Sequence, residues 1–137
     1  MKAGKIMGVD TSFVLRLLVG EPKDQAAAAL EELDRLVTDG KKIAISDLVI
    51  AETYFALQHH YEVPKKEALD TLNEFLAAPE VKPLGVASAV LAEPNLSKVN
   101  PGFVDRLIHA DYISRTAGML SFEKAARKLA STKVPHW

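Results

Sequence analysis

With 137 residues, 48% of them apolar and 26% charged, the chain has the size and balance of one compact globular domain, which sets aside disordered, collagen-like and low-complexity classes. A net charge of -1 gives no support to a strongly basic nucleic-acid binder, although a local groove can still be basic. The absence of cysteine removes disulfide frameworks, thiolate zinc sites and cysteine nucleophiles together, so any metal must be held by oxygen or imidazole.

In chain order, "KIMGVD" is short, apolar and closed by an acid, and "TSFVLRLLVG" follows with apolar positions at helical spacing. This predicts a strand running into a helix capped by Ser12. "PKDQAAAALEELDRLVTDG" starts at Pro22, places Leu30, Leu33 and Val37 on one face and stops at Gly40, which predicts a second helix. "KKIAIS" reads as a buried strand, and "DLVIAETYFALQHHYE" as a helix capped by Ser46 or Asp47 and ended before Pro64. A further amphipathic helix over "KKEALDTLNEFLAAP", a strand at "EVKPL" and a weaker helix broken before Pro94 come next. After the loop "SKVNPG", the segment "FVDRLIHADYISRTAG" aligns Phe103, Leu107 and Ala110 until Gly118 stops it. "MLSF" predicts a brief strand, "EKAARKLAS" a helix and "KVP" a last strand. Strands alternating with helices argue for an α/β fold with a mainly parallel sheet covered on both faces, in one domain over residues 1–137. No apolar run approaches the roughly 20 residues of a bilayer span, and the lysine-bearing start lacks an apolar leader, so a soluble, cytoplasmic protein is expected.

Sheets of this kind present their sites at the carboxyl ends of the strands. Asp10 ends the first strand, Glu52 lies early in the helix after the second, Asp105 lies in the first turn after "NPG", and Glu123 follows "MLS". Most other acids fall on polar helix faces, where a solvated charge is the ordinary explanation. Taken singly, Asp10 is explained as a helix cap, and Asp105 or Glu123 as a complement to a helix dipole. Asp10 and Glu52 have apolar neighbours, and burying a lone carboxylate there is costly, which implies a partner for each. Four acids at one edge favour a hard cation, Mg²⁺ or Mn²⁺, and with it phosphodiester hydrolysis.

His59 and His60 are adjacent, so they point about 100° apart on a helix and do not readily share one ion. His109 stands one turn after Asp105, within reach of the acidic edge as a proton shuttle or a hydrogen-bond partner, but a role outside the chemistry is the better explanation. Asp111 projects about 240° from Asp105 and faces elsewhere. Among the dispersed cations, Arg16, Arg106 and Lys124 adjoin the predicted site and are the candidates for phosphate contacts. Trp137 carries no argument at this level.

These residues resemble a known family, the PIN domain, and within it the VapC-like toxins of bacterial and archaeal toxin–antitoxin pairs. "VDTSFVLRLLVGEP" resembles the family's opening strand, acid and first helix; "IAISDLVIAETYFAL" its second strand and glutamate-bearing helix; "GFVDRLIHADYISRTAGMLSFEKAARKL" its closing helix, strand and final acid. The resemblance implies a three-layer α/β/α fold in which Asp10, Glu52 and Asp105 match the first three acidic positions. Glu123, 18 residues beyond Asp105, falls at the fourth, where the family usually has aspartate in a Thr-x-Asp arrangement and this chain has Ser121-Phe122-Glu123. Ser12, Ser46, Ser121 and Arg106 match supporting positions that orient a carboxylate or a phosphate. It also implies a Mg²⁺- or Mn²⁺-dependent endoribonuclease, usually a homodimer and inhibited by a small VapB-like antitoxin. A PIN-like RNA- or protein-binding module that no longer cleaves is the alternative, with Glu123 as the hint. A haloacid-dehalogenase-like phosphatase ranks lower, because Ser12 stands where that family needs its second aspartate.

Overall fold

The computed structural model describes residues 5–137, so the first residues of the lysine-bearing start, 1–4, lie outside the described part. The chain forms two compact units, residues 1–84 and 85–137, and each is described by itself.

The first unit carries β1 (Ile6–Gly8), α1 (Thr11–Val19), α2 (Lys23–Thr38), β2 (Lys42–Ile45), α3 (Asp47–His59), α4 (Lys65–Ala77) and β3 (Val81–Pro83). Its three strands pair in the order β1-β2-β3, both pairs parallel, with Met7 opposite Ile43 and Ile43 opposite Val81. The central position of β2 explains its apolar run: Ile43, Ala44 and Ile45 are all buried, as expected of a parallel strand with neighbours on both sides. Pro83 has no N–H to give, and the following residue completes the ladder through Leu84 N to Ile45 O at 3.0 Å.

Helix α2 corrects the expected face. Ala26, Ala29 and Leu36 are buried and Leu33 half-buried, whereas Leu30 and Val37 are 54% and 45% exposed. The three-and-four spacing of 26, 29, 33 and 36 makes the same kind of stripe, shifted toward the alanines, whose small side chains let the helix approach its neighbours α1 and β2. Helix α3 is capped by Ser46, whose Oγ accepts from Val49 N at 3.2 Å, settling the choice between Ser46 and Asp47. Gly20, at φ +78°, closes α1 in the left-handed conformation that glycine adopts without strain.

The second unit carries α5 (Ala87–Leu91), α6 (Phe103–Arg115), β4 (Met119–Leu120), a 3-10 helix at Lys124–Lys128 and β5 (Thr132–Lys133). The helix expected over "EKAARKLAS" is thus a single tight 3-10 segment, and β4 and β5 pair in parallel across it. Among the described residues three strands pair in the first unit and two in the second, every pairing parallel, as the expected α/β fold with a mainly parallel sheet requires. Helix α6 ends at Arg115, before Gly118. Gly118 serves another purpose, since a Cβ there would run into the carbonyl oxygen of Ser131, beside which Met119 N bonds to that same oxygen at 3.0 Å. Among the described residues no helix is long and apolar enough to cross a membrane.

Candidate active site

In the first unit, Asp10 leaves β1 with extended backbone and becomes the N-cap of α1, the reading the sequence offered for Asp10 taken singly, where Ser12 was the expected cap. Its Oδ1 accepts from Phe13 N at 3.1 Å and from the Ser12 hydroxyl at 2.6 Å. Ser12 is the orienting partner, and Asp10 is the cap. The Ser12 hydroxyl first, and the Phe13 amide second, hold the Asp10 carboxyl below the usual carboxylate range, so it is ionised under all ordinary conditions.

The neighbouring residue joins Asp10 to the second acid. Thr11 Oγ1 donates to Glu52 Oε1 at 2.6 Å, across 41 residues of sequence, so one hydroxyl fixes the Glu52 carboxylate beside the start of α1. Packing of α1 against α3 brings these groups into reach. Both carboxylates are exposed, which corrects the expectation of burial: Ile50, Thr53, Tyr54 and Leu57 form the covered face of α3 and leave Glu52 outside it. Local hydroxyl and amide donors, rather than a buried counter-charge, accompany them. Arg16 and Ser12 line the same hollow as Asp10, and Arg16 Nε donates to Gln25 Oε1 at 2.6 Å. Ser46 supports Glu52 only by capping the helix that carries it.

In the second unit, Asp105 stands exposed in the first turn of α6, and it lines one hollow with Ser121 and Glu123. Ser121 Oγ accepts from Glu123 N at 3.0 Å, a local turn that fixes the backbone from which the Glu123 carboxylate extends. Glu123 precedes the 3-10 helix and its side chain makes no capping bond, so it is not tied down as a dipole complement.

Arg106 is committed within this unit. Its Nε donates to the Pro101 carbonyl at 2.7 Å, its guanidinium lies 3.5 Å from Glu93, and its side chain is 19% exposed. His109 bonds through Nε2 to the Ala130 carbonyl at 2.7 Å, and Asp111 pairs with Arg115 at 2.6 Å. His59 and His60 are exposed at the end of α3, beside Phe55 and Tyr61 respectively.

Within the first unit Glu52 is tied to Thr11, the residue after Asp10, and within the second Asp105 and Glu123 line one hollow. Among the described residues no three acids or histidines stand together as a metal-holding group. A pair is nevertheless what Mg²⁺ ordinarily takes from a protein, one or two carboxylates with the remaining places filled by water and substrate phosphate. An all-oxygen donor set without sulfur fits such a hard ion.

Two features escaped the sequence reading. Thr11 was legible only as part of "D-T-S", with nothing in the pattern to say that it reaches Glu52. Lys124 Nζ lies 5.8 Å from the ring centre of Trp137, which itself meets Phe122 edge-on, and no spacing connects residues 122 and 137.

The family model of the PIN domain matches residues 7–131, nearly the whole chain. No curated protein matches it.

Proposed function

The chain belongs to the PIN-domain family, whose members share an α/β/α fold and are typically nucleases, and on that premise we propose that it is a Mg²⁺- or Mn²⁺-dependent endoribonuclease, the toxin of a VapBC-type pair. The observation that carries the proposal is the Asp10–Thr11–Glu52 linkage, in which two carboxyl groups are oriented by hydroxyls at the start of one helix. Asp10 and Glu52, with Asp105 and Glu123, are the residues assigned to hold the metal; a small antitoxin and a second copy of the chain are the assigned partners, in the cytoplasm.

A bound divalent ion would supply positive charge to a phosphate under in-line attack and make water more acidic. The chain's own residues do the rest. Ser12 and the Phe13 amide keep Asp10 deprotonated and fixed in direction, so that no energy is spent reorganising it when charge develops on the phosphate. Thr11 fixes the direction of Glu52 through its hydroxyl. Arg16, beside Asp10, is placed to meet a backbone phosphate. Ser121 sets the backbone of Glu123, whose extra methylene relative to aspartate lengthens its reach.

Cleavage of a panel of structured RNAs with Mg²⁺ or Mn²⁺, and its abolition by EDTA, tests the reading. Cleavage that persists in EDTA sinks the metal-dependent mechanism. A second reading, a PIN module that binds without cutting, is favoured by glutamate at position 123, where the family usually has aspartate. It expects RNA binding without turnover in the native chain, and turnover gained in Glu123→Asp.

A further inference from the structure

An aromatic pair in the second unit has no role in the chemistry just assigned. Phe122 and Trp137 are 68% and 72% exposed, far more than large apolar side chains usually are. Their ring centres lie 5.6 Å apart at 79°, an edge-to-face contact in which one ring abuts the other while π-surface remains open to solvent. Lys124 holds its ammonium over the Trp137 ring. Between Phe122 and Lys124 stands Glu123, its backbone pinned by Ser121.

We propose that Phe122, Trp137 and Lys124 form a seat for one unpaired nucleobase and its adjoining phosphate, holding single-stranded RNA beside Glu123. The inference rests on the nuclease reading. A free π-face accepts any base by stacking, without reading its hydrogen-bonding edge. Lys124 supplies the charge that a phosphate needs, and salt screens that contact. Bases inside a duplex have their faces covered by neighbours, so the seat discriminates for unstacked nucleotides rather than for sequence. The edge-to-face contact and the Ser121 turn pre-order the platform, which lowers the cost of immobilising it on binding.

Trp137 is the chain's one tryptophan, so its emission reports the seat directly. The full chain is titrated in EDTA, which prevents cutting, with oligouridine and oligoadenosine of ~12 nucleotides, a length that spans typical single-strand sites, and with a duplex of equal length. Anisotropy of a fluorescein end-label is followed in parallel. Saturable change of Trp137 emission is expected with both single strands, with the duplex weaker by about tenfold. Phe122→Ala should weaken single-strand binding by about tenfold, and Phe122→Tyr should restore it. Lys124→Gln should lower the salt slope of single-strand binding by about 0.7.

Saturating anisotropy with unchanged Trp137 emission, or native affinity in Phe122→Ala, overturns the seat and leaves the nuclease reading standing. Equal emission responses to duplex and single strands also overturn it. Emission that shifts with protein concentration alone, while RNA has no effect on it, marks a contact between copies of the chain and removes the seat. No anisotropy change with any RNA overturns both the seat and the reading beneath it.

Discussion

Asp10 caps α1 and is also assigned to the metal, and two substitutions separate these roles. In Asp10→Asn the side-chain oxygen that accepts from Phe13 N is kept, and asparagine caps helices as well as aspartate does. What is lost is the charge at the helix N-terminus, worth roughly 0.3 kcal/mol at an exposed position. In Asp10→Ala the cap goes too, adding about 1 kcal/mol. For a chain of 137 residues this corresponds to a Tm unchanged within about 1 °C for the asparagine variant and lowered by about 4 °C for the alanine variant. Cleavage, by contrast, should fall in both by more than the roughly 10- to 100-fold typical of groups that merely orient a metal ligand. Calorimetry alongside a metal-supported RNA cleavage assay measures the two responses. If Asp10→Asn cuts RNA at the native rate, or if both activities track the Tm losses, Asp10 is a cap and no more.

Thr11→Val removes the hydroxyl that orients Glu52 and should cost roughly 10- to 100-fold in cleavage with little change in Tm, since the bond is exposed; native kcat would show that Glu52 needs no such orientation. Arg16→Gln should reduce the salt slope of single-stranded RNA binding by about 0.7, measured by anisotropy, whereas Arg106→Gln should lower Tm and leave that slope unchanged, because Arg106 is held by Pro101 and Glu93; the opposite pattern would reassign the phosphate contact. Burial, opposed in small part by Gln58, raises the Tyr54 hydroxyl above its usual range. The unfolded chain therefore ionises Tyr54 first, so its contribution to stability is whole below about pH 10 and is lost as pH rises through the folded value. Tm followed up to strongly alkaline pH should fall less steeply in Tyr54→Phe than in the native chain, and identical slopes would refute the burial argument.

Much of this protein was legible in one dimension because local rules govern it. The period-2 and period-3.6 patterns, the prolines at positions 22 and 64 and the hydroxyl before Asp47 mark where elements begin and end, and the backbone follows them. The four acids were visible for the same reason: Asp10 and Glu123 follow short strands, Glu52 lies in the early turns of the helix after β2, and Asp105 lies in the first turn after the "NPG" loop. The face of α2 was misplaced because periodicity names several stripes and only the neighbours α1 and β2 decide which one is covered; they chose the alanines over Leu30 and Val37. The "EKAARKLAS" stretch has helical composition, yet only its middle winds, and as a 3-10 turn, because β4 and β5 pair on either side and leave little room for a longer helix.

The sequence by itself determined the order of elements, the parallel habit of the strands and the identity of the four candidate acids, since each depends on residues close together along the chain. Tertiary structure alone decided that Asp10 rather than Ser12 caps α1, that Thr11 reaches Glu52, that Arg106 is spent on Pro101 and Glu93, and that Trp137 meets Phe122 and Lys124. Apart from the cap, which depends on the backbone angles of one turn, and the Arg106 bond to the Pro101 backbone carbonyl five residues away, each is a contact between side chains brought together by packing, and no local propensity encodes which partner a side chain will find.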